Sequence, residues 1–140
     1  MNDNKENTNS LKQRLLILED DVVTVNVLLR LLKNHYNIDH TNNGEDALKM
    51  ANEKDYDAFL VDIGLPGSMN GIEATKELKK IKDNRVKPYI AITAYALPGD
   101  KTHFLANGLT HYISKPFEFK TLLKLIENAL EETKKTDVKK

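Results

Sequence analysis

The chain has no cysteine among its 140 residues, so it can form neither disulfides nor thiolate metal centres. It also lacks an excess of charge. Lys+Arg and Asp+Glu both total 21, so overall charge gives no support to nucleic-acid binding. No apolar run approaches the ~20 residues of a membrane span. The start, MNDNKENTNS, has no apolar core of a signal peptide. These absences leave a soluble cytoplasmic protein as the expectation, with no membrane and no nucleic acid as partner. The length suits one domain that buries roughly two-thirds of its unfolded surface. Polar residues 1–13 read as a disordered tail, 14–131 as the domain, and 132–140 as a charged tail.

Within the domain, short apolar runs alternate with amphipathic stretches. Leu15–Leu18 reads as a buried strand ending in Glu19-Asp20-Asp21. A helix follows, with Val25, Leu28, Leu29 and Leu32 on one face. Ile38–Thr41 is a second strand and Gly44–Asn52 a short helix. Ala58–Val61 is a third strand, ending on Asp62 and stopped by Leu65-Pro66-Gly67. Ile72–Ile81 reads as a helix with Asn70 as its N-cap. Tyr89–Ile92 is a fourth strand, ending on Thr93. A fourth helix begins near Leu97-Pro98-Gly99-Asp100 and stops at Asn107-Gly108. His111–Ser114 is a fifth strand, broken by Lys115-Pro116. The last helix carries Phe119, Leu122, Leu123, Ile126, Ala129 and Leu130 as its buried stripe, with fraying expected from about Thr133. Five such alternations predict an α/β fold: a parallel five-stranded sheet covered on both faces, doubly wound and flavodoxin-like, in the order 2-1-3-4-5.

That topology brings four strand ends to one edge. They carry Glu19 and Asp20, Asp62, Thr93 and Lys115. Three close carboxylates hold protons unless a cation joins them, and a hard divalent ion such as Mg²⁺ suits oxygen ligands. Lys115 is placed to pair with Asp62 and then to follow a new anion. Thr93 is placed to donate its hydroxyl to that anion. A nucleophile, a metal and a charge clamp are the parts needed to transfer a phosphoryl group to a carboxylate. Each strand end also has a plainer use. Asp21 suits an N-cap better than a ligand. Thr93 can cap the next segment, and Tyr112 can be ordinary half-buried packing. His35, His40, His103 and His111 have no metal spacing and read as surface residues.

Taken in order, Leu16-Ile17-Leu18-Glu19-Asp20-Asp21, Val61-Asp62-Ile63-Gly64-Leu65-Pro66, Ala91-Ile92-Thr93-Ala94 and Tyr112-Ile113-Ser114-Lys115-Pro116-Phe117 resemble the receiver domain of two-component response regulators, over roughly residues 14–131. The resemblance implies that Asp62 accepts a phosphoryl group from a phosphohistidine. It implies that Asp20 binds Mg²⁺ (or Mn²⁺) directly, Glu19 mainly through water, and Gly64 through its carbonyl. Thr93 and Lys115 match the groups that hold phosphoryl oxygens. Tyr112 matches the aromatic residue that turns inward when Thr93 moves. Gly64 and Tyr95 match positions that tune phosphoryl lifetime, with bulky Tyr95 expected to shield the phosphate. The implied donors are a sensor histidine kinase or a histidine phosphotransfer protein. The implied output is a protein target bound by the surface of strand 4, helix 4 and strand 5, as a monomer or a phosphorylation-dependent dimer. The loop from Asp62 to Gly71 is one residue longer than the family's usual loop, with the insertion in Gly67–Asn70.

Other classes fit less well. A phosphatase of the haloacid-dehalogenase type uses an Asp nucleophile with Mg²⁺, but it needs a second Asp two residues on, where this chain has Gly64. A nucleotide or flavin binder wants a Gly/Ser/Thr-rich phosphate loop after strand 1, where this chain has three acids. A receiver-like adaptor working without phosphorylation has no need of the full acidic set.

Overall fold

The computed structural model describes residues 12–94 and 99–138. Five parallel strands form one sheet: β1 (Arg14–Leu18), β2 (Asn37–Thr41), β3 (Ala58–Asp62), β4 (Tyr89–Thr93) and β5 (His111–Ser114). Their order is β2-β1-β3-β4-β5, as the alternation of apolar runs and amphipathic stretches predicts. Five helices connect and cover them: α1 (Val22–Leu32), α2 (Gly44–Glu53), α3 (Gly71–Leu78), α4 (Asp100–Ala106) and α5 (Phe119–Val138). A short 3₁₀ turn, Lys82–Val86, lies between α3 and β4.

Because side chains alternate across a strand, the sheet divides its apolar residues between two cores. Leu15, Ile17, Leu60, Ile90 and Ile92 face α1 and α5, where they meet Leu28, Leu32, Leu122 and Ile126. Leu16, Leu18, Phe59, Val61 and Tyr89 face the other way, toward Ala47, Ala51, Ala74, Leu78 and Phe104. On that second side Phe59 stacks on Tyr89 with ring centroids 4.6 Å apart. β3 is buried on both faces along its whole length, which explains its unbroken apolar run. Each fully buried Leu or Ile contributes roughly 1.5–3 kcal/mol, so the two cores pin the register that aligns the strand ends.

The helix boundaries follow from their caps. Asp21 caps α1, its carboxylate accepting from the Thr24 amide at 3.0 Å. That hydrogen bonding with Thr24 holds the Asp21 carboxyl below its ordinary range. Asn70 and Glu73 form a reciprocal capping box at the start of α3. At the end of α4, Asn107 is the C-cap and Gly108 adopts φ +100°, a left-handed conformation that glycine takes without penalty. Two helices differ from the sequence expectation. α3 stops at Leu78, not Ile81, because Lys80 and Ile81 bond back three residues instead of four and Lys82 then turns the chain with φ +46°. α5 continues past Thr133 to Val138. The Thr133 hydroxyl donates to the Ala129 carbonyl at 3.0 Å, and no Gly or Pro stops the run.

Candidate functional site

The parallel sheet carries the ends of β1, β3, β4 and β5 to one edge, and the predicted residues meet there. Carboxylate oxygens of Glu19, Asp20 and Asp62 lie within 4.8 Å of one another. Glu19 is fully buried, Asp62 is 8% exposed and Asp20 is exposed, so the cluster has a closed floor and an open mouth. Thr93 ends β4 and is buried. Its carbonyl accepts from the Lys115 amide at 2.7 Å, which ties the fourth and fifth strand ends together.

Backbone groups fix each acid. The Gly64 amide donates to Asp62 Oδ1 at 3.0 Å, and the Asp21 amide donates to Glu19 Oε2 at 3.1 Å. A side chain on Gly64 would place its Cβ in contact with Asp62 Oδ1, so glycine here keeps that flank of the acid open. Gly71 acts from behind. A Cβ there would collide with the Asp62 carbonyl oxygen, so glycine lets α3 start directly against the end of β3. The Gly67–Asn70 segment before it leans on α2 rather than on the acids. Met69 packs on the α2–α3 core, and the Ser68 hydroxyl reaches Glu45 Oε2 at 3.4 Å.

The electrostatics are those of a site short of positive charge. Burial, then the hydrogen bond and the charge of Glu19, push the Asp62 carboxyl up to about 7. The Gly64 amide and Lys115 pull it back only in part. Lys115 does not pair with Asp62, contrary to the sequence expectation. Its Nζ lies 2.7 Å from Glu19 Oε1. Burial lowers the affinity of this ammonium for its proton, but the close carboxylate of Glu19 reverses the effect, and the net shift is upward. The ion pair is close but poorly angled, and Glu19 Oε1 has no geometrically sound hydrogen-bond donor among the described residues. A buried oxygen left in that state, beside two further carboxylates, fits a hard cation at the mouth.

Other predicted residues fall as follows. Tyr112 is half-buried, its ring centroid 6.3 Å from that of Phe104 on α4. Tyr95 lies outside the described residues. Among the histidines read as surface residues, His35 and His103 are exposed. His40 is not; its Nε2 lies 2.8 Å from the Glu19 carbonyl oxygen, which braces the end of β1. His111 is partly buried beside Glu132, 3.1 Å away, because it begins an edge strand covered by α5. The sequence reading overlooked a surface beside the site. Val22, Val23 and Val27 on α1 are 69%, 70% and 43% exposed. Val23 and Val27, with Lys115, Pro116 and Phe117, line a cleft of about 330 Å³. The signal was available, since these valines fall off the Val25–Leu28–Leu32 stripe.

An acidic pocket at the carboxyl edge of a five-stranded parallel sheet, with a lysine across it, defines a phosphoacceptor class of α/β protein. Residues 15–127 match the response regulator receiver domain family, and the chain belongs to that family. It is 34% identical over 121 residues to the polar-differentiation response regulator DivK of Brucella anthropi, covering 86% of this chain and 98% of that protein. It is 33% identical over 128 residues to hybrid signal transduction histidine kinase I of Dictyostelium discoideum, of whose length it spans 7%. Among solved structures it resembles the receiver domain of the sensor histidine kinase PA1611 from Pseudomonas aeruginosa, in which a magnesium ion is coordinated in the active-site cleft. The TM-score is 0.78 at 32% identity, covering 86% of this chain and 98% of that one. Receivers catalyse only their own phosphoryl transfer and dephosphorylation, so the chain is not an enzyme acting on a separate substrate. No helix among the described residues is long and apolar enough to cross a membrane.

Proposed function

We propose that Asp62 takes a phosphoryl group from the phosphohistidine of a sensor histidine kinase or a histidine phosphotransfer protein in a two-component phosphorelay. The observation that carries this reading is the grouping of Asp62 with Glu19 and Asp20, at the end of a fully buried strand and across from Lys115. A carboxylate oxygen of Asp62 attacks phosphorus, the P–N bond breaks, and the departing imidazole keeps the bonding pair. The Gly64 amide holds Oδ1, leaving Oδ2 to act as the nucleophile. Lys115 swings from Glu19 toward the new phosphoryl oxygens, and Thr93 donates its hydroxyl to them. A magnesium ion held by Asp20, Asp62, the Gly64 carbonyl and, through water, Glu19 would supply the positive charge that phosphoryl transfer needs.

Donor docking is assigned to α1. Its exposed valines and the cleft they share with Pro116 adjoin Lys115, so a helical phosphohistidine protein seated there would present its imidazole to Asp62. The output is a switch. Inward movement of Thr93 and Lys115 repacks Tyr112 against Phe104 and changes the β4–α4–β5 surface that a target protein reads. Tyr95 tunes the lifetime of the aspartyl phosphate. We place this action in the cytoplasm, where ATP-fed kinases work.

Intact-protein mass measured after incubation with acetyl phosphate and Mg²⁺ tests the reading. One added phosphoryl group is expected, absent from Asp62→Asn and from a sample in EDTA. A fluoroberyllate titration covers an adduct too short-lived to see. No adduct and no fluoroberyllate binding in the folded protein would overturn the proposal.

A further inference from the structure

The zero net charge conceals a separation. The acids of the phosphoacceptor site crowd the carboxyl edge of the sheet, while the opposite edge is basic. There, where Gln13 leads into β1, Asp57 into β3 and Lys87 toward β4, a cleft of about 640 Å³ opens. Six cations line it: Lys79, Lys80, Lys82, Arg85, Lys87 and Lys134. Only two carboxylates accompany them. Asp57 is already engaged, its Oδ2 accepting from the Arg14 amide at 2.8 Å, and Asp83 sits between Lys82 and Arg85 in the 3₁₀ turn.

Helix-end complementarity explains part of this charge. Lys79 and Lys80 follow the last residue of α3 and suit the negative end of its dipole. It does not explain Arg85 and Lys87, which come from the turn and the approach to β4, or Lys134, which projects from α5. Among the described residues Lys80 has an ion-pair partner, Glu77 at 2.8 Å, and the other five cations have none. Lys79 is the most telling. It is half-buried, its Nζ 5.0 Å from the Tyr89 ring centroid, and it gains no carboxylate in return for the water it loses. Burial lowers its affinity for its proton accordingly.

Unpaired cations from three segments, converging on a concavity within the usual range for small-molecule sites, suit an anion of several charges. We propose that this cleft binds an oligophosphate group, free or carried on a nucleotide, at the edge of the sheet opposite Asp62. Lys79 and Lys87 form its inner wall, and Lys82, Arg85 and Lys134 its rim.

Isothermal titration of the full chain with sodium tripolyphosphate, and separately with ATP, tests this. EDTA is included so that no metal bridges phosphate to the acidic site. Saturable binding that weakens as salt is raised is expected. The triple variant Lys82→Gln, Arg85→Gln, Lys87→Gln should lose about tenfold or more in affinity, while Asp83→Asn should bind more tightly. Phosphorylation of the triple variant by acetyl phosphate should proceed as in the parent chain. Binding of both ligands assigns the site to the phosphate chain itself, and binding of ATP alone assigns it to a nucleotide. No binding at millimolar ligand, or equal affinity in the folded triple variant, would overturn the proposal.

Discussion

Lys115 holds Glu19, with Nζ 2.7 Å from an oxygen of a carboxylate that has no exposure. A flexible ammonium is thereby kept off Asp62 and pointed at the floor of the site. Replacing Lys115 by Met strands a buried charge, which typically costs about 3–5 kcal/mol when no relaxation occurs. Because Lys115 is partly exposed, a loss nearer ~2 kcal/mol is expected in urea unfolding at pH 7. Glu19→Gln in the same background should restore most of it. A double variant no more stable than Lys115→Met would show that the pair contributes little.

The raised Asp62 carboxyl makes stability depend on pH. Its folded value, about 7, lies above the ordinary carboxylate value near 4, so the folded state binds more protons through that window. Stability of the metal-free protein should therefore fall as pH rises from about 4 to 7 and level off above. The drop attributable to this group is on the order of 2 kcal/mol, taking half the full shift because the mouth of the site is open to water. Asp62→Asn should flatten the profile and leave the metal-free protein more stable at pH 8. Excess Mg²⁺ should also remove the slope, since metal and proton compete for the same oxygens. Urea midpoints across pH 4–8 would decide it, and identical slopes in both proteins would rule out Asp62 as the source.

Gly71 gives a sharper structural test. A Cβ there meets the Asp62 carbonyl oxygen and the Ile63 Cα, which are backbone atoms, and Cγ1 of the fully buried Val61. Gly71→Ala should cost about 2–3 kcal/mol, despite the helix propensity that alanine adds. It should also slow phosphorylation by acetyl phosphate, because the displaced atoms carry the acceptor. An Asn70→Ala variant, which removes the neighbouring cap, should cost only ~1 kcal/mol and leave that rate alone. Equal effects on rate would mean that the start of α3 matters to the site only through stability.

Strand order, strand ends and the converging acids could be read in advance because they depend on local pattern plus one topological rule. Short apolar runs between amphipathic stretches read as buried strands, and right-handed crossovers leave few ways to arrange five strands. Asp21 and Asn70 were legible as caps for the same local reason. What pattern cannot supply is pairing between side chains from distant elements. Whether Lys115 meets Asp62 or Glu19 depends on ångström-scale placement of β1 against β5, two strands that are not neighbours. His40 escaped notice because its partner is a backbone carbonyl, which carries no sequence signature. The end of α3 turned on a left-handed lysine, a conformation that composition does not announce. The basic cleft was hidden by counting charge along the chain, since its cations are gathered from three segments.

The α1 valines separate docking from chemistry. Val23 is 70% exposed and lines a cleft with Pro116, so Val23→Asp leaves both cores intact and should change stability by less than ~0.5 kcal/mol. Acetyl phosphate needs no protein contact, and its transfer to Asp62 should proceed at the parent rate. In the docking proposed above, a phosphorylated histidine phosphotransfer protein seats a helical surface against α1, and a carboxylate buried there opposes that contact. Transfer from such a donor should slow by about tenfold or more, with Val27→Asp behaving alike and a solvent-facing change such as Lys101→Asp on α4 having no effect. Autoradiography of phosphoryl transfer from the labelled donor, run beside acetyl phosphate labelling, gives both rates. Slowing of both reactions together would point to damage at the acceptor site. Slowing of neither would move the donor's footprint off α1, and with it the reason for two exposed valines in the cleft beside Lys115.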